Sequence, residues 1–176
     1  MIVTDDIHDR FVTLMIERMK KLNVGDALDT ATHIGPVVDA GQLKQDQSYI
    51  DIGRGEGATL AFGGERLTRD KPGFYLAPAL FTDVAPAMRI AREEIFGPVA
   101  AVLRVRDYEA ALAAATDTPF GLASAICPTT LNPATPFHPH PHARRALVTP
   151  PPPRVPYPLP FGPPQGPASA PPSPGP

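Results

Sequence analysis

The chain has no tryptophan, one cysteine among 176 residues, and no apolar run near the ~18 residues a membrane-spanning helix needs. A lone thiol, Cys127, excludes an internal disulfide and is compatible with the cytoplasm. The formal net charge is only −2 and the isoelectric point is near 6.2. Nothing in that balance argues for nucleic acid or an anionic membrane as a partner. The first residues, Met1-Ile2-Val3-Thr4-Asp5-Asp6, lack the basic and apolar regions of a secretory signal. There is also no G-x-G-x-x-G stretch, the fingerprint of a dinucleotide-binding βαβ unit.

Proline and charge are divided unevenly. Residues 128–176 hold 19 of the 25 prolines and no Asp, Glu or Lys; their strong charges are Arg144, Arg145 and Arg154. Residues 1–127 hold all 18 acidic residues. Proline removes a backbone donor and blocks regular helix and central strand. Two regions are therefore expected: a packed α/β part over 1–127 and a disordered, proline-rich tail over 128–176.

Within the first region helical and strand patterns alternate. Asp5 or Asp6 is placed to cap a helix from about Ile7 to Lys21, with Ile7, Phe11, Leu14 and Leu22 at helical spacing. Asp39 is placed to cap a second, with Gln42 three residues on and Leu43 and Ile50 on one face; Gly53, Gly55 and Gly57 should end it. Strands are expected at Ala58 to Phe62, Phe74 to Phe81, Val99 to Val105 and Leu122 to Cys127, with a helix from Asp107 to about Ala115. This alternation predicts an α/β layer structure with parallel pairing.

The most informative stretch is Arg92-Glu93-Glu94-Ile95-Phe96-Gly97-Pro98-Val99. It resembles the cofactor-contacting motif of the aldehyde dehydrogenase superfamily. Ile34-Gly35-Pro36-Val37, Gly63-Gly64-Glu65, Gly73 to Leu80 and Thr118 to Ser124 resemble further family motifs in the same order. The resemblance runs from Ile2 to about Ile126. It implies an NAD(P)-dependent oxidoreductase that turns an aldehyde into a carboxylic acid. It also implies that Glu94 holds the nicotinamide ribose hydroxyls and that Phe96 packs beside the nicotinamide. A carboxylate accepts hydrogen bonds from a vicinal diol, and an aromatic face limits ring motion. Leu43-Lys44-Gln45-Asp46 and Tyr49-Ile50 look most similar to the branch oxidising 2-oxoglutarate semialdehyde.

In the family the nucleophilic cysteine, the general-base glutamate and the nucleotide-binding region lie upstream of the segment resembling Met1 to Asp6. The resemblance therefore implies the C-terminal part of a catalytic domain, inactive alone, with no catalytic residue of its own. In the tail, His142-Ala143, Leu147-Val148 and Leu159-Pro160-Phe161-Gly162 fall where the family has a helix end, a strand and a turn. Phe161 resembles a substrate-tunnel position, while Pro163 stands where a glycine is expected. The family's C-terminal strand, which builds the homo-oligomer, has no readable equivalent.

Other readings rank lower. Cys127 ends an apolar strand before Pro128, as a small buried hydrophobe would. His138, His140 and His142 alternate with prolines, but no carboxylate or thiol within the tail completes a metal site. Glu93 and Glu94 are adjacent and should diverge, which opposes a paired acid/base role. Arg89 and Arg92 suit a solvated face or local pairing with Glu93. The alternative for the whole chain is a non-catalytic interaction protein whose proline-rich tail is recognised by a partner domain.

Overall fold

The computed structural model describes residues 1–120, 124–127 and 146–148. The chain divides into two compact units, Met1–Asp107 and a second from Tyr108 onward. The first runs β1 (Ile2–Thr4), α1 (Asp5–Met19), α2 (Ala40–Gly55), β2 (Thr59–Phe62), β3 (Arg66–Leu67), β4 (Tyr75–Leu76), β5 (Ala79–Thr82), α3 (Arg89–Arg92), β6 (Val99–Ala101) and β7 (Leu103–Val105). The second holds α4 (Tyr108–Thr116), β8 (Ser124–Ile126) and β9 (Ala146–Val148), with β8 and β9 parallel.

Strand β5 organises the first unit because it is buried along its whole length. Successive strand residues face opposite ways. Ala79 and Phe81 join Leu43 and Ile50 of α2, together with Leu76, Ile90 and Ile95. Leu80 packs oppositely with Val3, Met19 and Val102, against which Phe11, Val12, Met15 and Ile16 of α1 lie. A helix thus covers each face, which explains the continuous apolar run.

The segment Val99 to Val105, expected as one strand, is divided at Val102. β6 pairs in parallel with β5, whereas β7 pairs in parallel with β1. The Val102 amide donates to the Phe81 carbonyl at 2.9 Å, so this residue links the two ladders. Phe74 to Phe81 is divided too, into β4 and β5, because Pro78 has no amide to donate. Pairing is mixed, not uniformly parallel. β2 runs antiparallel to β5 and β3 antiparallel to β4, because the chain doubles back over residues 63–78 without a crossover helix. At that return Gly63 has φ +64° and a side chain there would strike the Pro78 carbonyl.

Helix α1 begins earlier than the spacing predicts. Thr4 is its cap residue, with no side-chain hydrogen bond, and Asp5 and Asp6 occupy the first turn, where they favour the positive helix end. Its buried side is also rotated from the expected one. Ile7, Leu14 and Leu22 are exposed, and Val12, Met15, Ile16 and Met19 face the core with Phe11. Helix α2 follows the sequence more closely. Asp39 Oδ1 accepts from the Gln42 amide at 2.8 Å, and Leu43 and Ile50 are buried. Gly53 and Gly55 lie inside the helix; Gly57, at φ +96°, follows its end.

Within the segment expected to be disordered, Ala146–Val148 form β9, paired with β8, where Leu147-Val148 fall at a strand position of the family resemblance. Residues 128–145 and 149–176, and with them the tail reading, Phe161 and the three alternating histidines, lie outside the described residues. Cys127, expected to be buried, is exposed. Among the described residues no helix is long and apolar enough to cross a membrane, and no group of three or more side chains is arranged to hold a metal ion.

Candidate cofactor site

The site is built where α2 meets the loop 93–98. Gln42, Gln45, Asp46 and Tyr49 occur at i, i+3, i+4 and i+7, so α2 carries them in one row. The apolar pair Leu43 and Ile50 anchors the neighbouring face in the core. Helix α3 delivers the loop from the other side. The Glu56 carboxylate accepts from the Arg89 amide at 2.9 Å, which satisfies an orphan donor at the start of this short helix.

Glu93 leaves α3 in an extended conformation, φ −108° and ψ 154°. Arg89 grips its carboxylate with Nε and Nη2, both at 2.8 Å, and Tyr49 donates its hydroxyl to Oε2 at 2.8 Å. The guanidinium also stands over the Tyr49 ring, 5.7 Å from its centroid. The Arg89 hydrogen bonds, with that of Tyr49, lower the Glu93 carboxyl from its usual 4.5 to about 2. The same contacts raise Arg89 and Tyr49.

Glu94 is exposed, and no hydrogen bond or ion pair to it is found among the described residues. The adjacent glutamates therefore divide as their spacing predicts: Glu93 is bound to the protein, and Glu94 is left open. Arg89 pairs with Glu93, whereas Arg92 reaches the Pro86 carbonyl at 3.4 Å.

Ile95 turns back into the core, and its carbonyl accepts from Gln42 Nε2 and Gln45 Nε2, each at 3.1 Å. Phe96 then takes φ +63° and is 79% exposed. A bulky residue in this region costs about 1–3 kcal/mol and persists where its neighbours over-determine the backbone. The neighbours here do so. After Phe96, Gly97 lies against the Asp46 carboxyl group, where any Cβ would overlap it. The Pro98 carbonyl accepts from the Ala79 amide at 2.8 Å and locks the loop to the start of β5.

Asp46 is itself fully buried. Its Oδ1 accepts from Gln42 Nε2 at 2.7 Å, and its Oδ2 has no partner. Burial raises this carboxyl above the ordinary range. Sequence reasoning named Glu94 and Phe96 and allowed the local pairing of Arg89 with Glu93, but missed Gln42, Gln45, Asp46 and Tyr49 as parts of the same structure. The polar row at i, i+3, i+4 and i+7 was the available signal.

Chemically, this arrangement offers a free carboxylate and an outward aromatic ring two residues apart on a fixed backbone. That fits a ligand with neighbouring hydroxyls and a flat heterocycle.

The sequence model described as "Aldehyde dehydrogenase family" matches residues 1–162. Betaine aldehyde dehydrogenase of Brucella anthropi is 46% identical over 126 residues, 70% of this chain and 26% of that protein. The corresponding protein of Brucella ovis is 44% identical over the same share. The crystal structure of betaine aldehyde dehydrogenase from Staphylococcus aureus in complex with NAD+ superimposes with a TM-score of 0.84. It is 30% identical, and the match covers 93% of this chain and 33% of that one. A 1-pyrroline-5-carboxylate dehydrogenase from Thermus with bound NAD gives 0.77 at 36% identity, over 84% of this chain and 28% of that one. The chain thus spans about a quarter of the length of the curated relatives it matches.

Proposed function

The chain belongs to the aldehyde dehydrogenase family, and we propose that it supplies the nicotinamide-side cofactor clamp of an NAD(P)-dependent enzyme that oxidises an aldehyde to a carboxylic acid. In this reading Glu94 accepts hydrogen bonds from the two ribose hydroxyls and Phe96 presents its ring to the nicotinamide. The cofactor supplies the hydride acceptor. The chain's own residues fix where that acceptor sits.

The division between the two glutamates carries the reading. Glu93 has its acceptor capacity occupied by Arg89 and Tyr49, while Glu94, one residue on, is exposed on a loop anchored at Ile95 and Pro98. The strained, exposed Phe96 supports it independently, since such backbone strain concentrates at functional sites. The NAD-bound relatives support the cofactor class.

Covalent attack on an aldehyde needs an activated nucleophile. The chain's one thiol, Cys127, follows β8 and precedes Pro128. We assign it no catalytic role and expect the purified chain to form no NADH or NADPH with aldehydes. Turnover abolished by Cys127→Ser would reverse that assignment. The reading stops at the aldehyde class: the relatives above are named for betaine aldehyde and 1-pyrroline-5-carboxylate, whereas Leu43 to Ile50 resembles the 2-oxoglutarate semialdehyde branch. Phe161 is retained as a proposed substrate-tunnel residue.

The test is a chimera in which residues 1–127 replace the matching part of a complete betaine aldehyde dehydrogenase. Glu94→Gln in that chimera should slow single-turnover hydride transfer by about tenfold or more, since it removes a charged acceptor that orients the ring. An unchanged rate would refute the clamp.

A further inference from the structure

Both fixed points that flank Phe96 trace to one side chain. Gln42 Nε2, which donates to the Ile95 carbonyl before Phe96, is itself held by Asp46 Oδ1 at 2.7 Å. Gly97, after Phe96, seats its Cα against the Asp46 carboxyl group. Asp46 is 0% exposed, and its second oxygen is unpartnered. A buried polar atom without a partner lowers stability. Its position is therefore better explained by what it holds than by what it adds to the core.

We propose that Asp46 is a positioning residue for the cofactor loop: its carboxyl group is the stop on which Gly97 seats and the holder that aims Gln42 at the Ile95 carbonyl. With Ile95 and Gly97 both fixed, the backbone between them takes the left-handed turn that points Phe96 outward and leaves Glu94 open. Gly97 is required for this because a methyl group would push the stop away. Asp46 touches neither reacting atoms nor cofactor in this scheme. The functional meaning of the loop rests on the clamp reading above, and the experiment separates the two.

The chain has no tryptophan, so Phe96→Trp installs its sole tryptophan in the loop, excited selectively over the tyrosines. In the full chain carrying it, Asp46→Ala, Asp46→Asn, Gly97→Ala and the Asp46→Ala/Gly97→Ala pair are compared by time-resolved anisotropy, with circular dichroism to confirm folding. Asp46→Ala and Gly97→Ala should each add a fast component to the decay. Asp46→Asn, which keeps shape and acceptor, should retain the parent decay. The double variant should be more ordered than Gly97→Ala alone, because the vacated space takes the methyl group.

A folded Asp46→Ala variant with the parent decay overturns the proposal, as does Asp46→Asn behaving like Asp46→Ala. Should Asp46→Ala not fold, Gly97→Ala and its response to the second substitution decide. NAD+ is then added to the parent reporter carried in the betaine aldehyde dehydrogenase chimera described above. Quenching of the reporter that is lost in Glu94→Gln supports the cofactor reading. If NAD+ has no effect while loop order still follows Asp46, the clamp fails and the positioning role stands.

Discussion

Tyr49 donates its hydroxyl to Glu93 across 2.8 Å although 44 residues separate them in the chain. This bond ties α2 to the loop after α3. With the Arg89 fork, it fixes one of two adjacent glutamates and leaves the other open. Four expectations follow from that geometry and from the core beneath it.

Glu93 should make loop order acid-sensitive. Its carboxyl is lowered from 4.5 to about 2 by Arg89 and Tyr49. A lowered acid stabilises the fold above its unfolded value and loses that contribution as pH falls through the folded one. Hydrogen exchange in the segment containing residues 93–97, taken relative to the intrinsic rate at each pH, should therefore rise between about pH 4.5 and 2. Glu93→Gln should flatten this response. An equally steep rise in that variant would assign the sensitivity elsewhere.

Asp46 should have the opposite sign. Burial raises its carboxyl above the usual 3.8, so its neutral form is favoured in the fold. Stability from this group is present at low pH and declines as pH rises past its unfolded value. Asp46→Asn, neutral at every pH, should melt higher than the parent at pH 7, and the gap should close toward pH 3. Melting curves across that range check this; an equal gap at both ends would contradict it.

Phe96→Gly should separate stability from function. Glycine occupies positive φ without steric cost, and Phe96 is 79% exposed. The melting temperature should hold or rise, while NAD+ binding in the chimera should weaken. A clear loss of stability would mean that the ring packs more than its exposure indicates.

Phe81 should dominate the core. It is fully buried at the centre of β5, so Phe81→Ala should cost about 3–5 kcal/mol. Leu28, 89% exposed, serves as the control: Leu28→Ala should change stability by less than about 0.5 kcal/mol. Urea unfolding of both variants gives the comparison.

The sequence by itself determined what depends on local chemistry. Asp39 caps α2 because a side-chain oxygen two or three residues upstream is enough. The Leu43 and Ile50 face and the apolar strand segments were legible for the same reason. The roles proposed for Glu94 and Phe96 came only through resemblance, since nothing local distinguishes Glu94 from Glu93. Tertiary structure decided what depends on distant partners. It divided Val99 to Val105 at Val102, because a buried apolar run does not specify which neighbour each half will pair with. It turned α1 to bury Val12, Met15, Ile16 and Met19 and to leave Ile7 and Leu14 exposed, because a helix with apolar residues on several sides buries whichever face its sheet meets. It gave Glu93 to Arg89 and Tyr49, set Asp46 against Gly97, and forced Phe96 to positive φ. Apart from the Arg89 grip, these contacts join residues about 44 to 51 positions apart, and only the packed fold brings such residues within hydrogen-bonding distance.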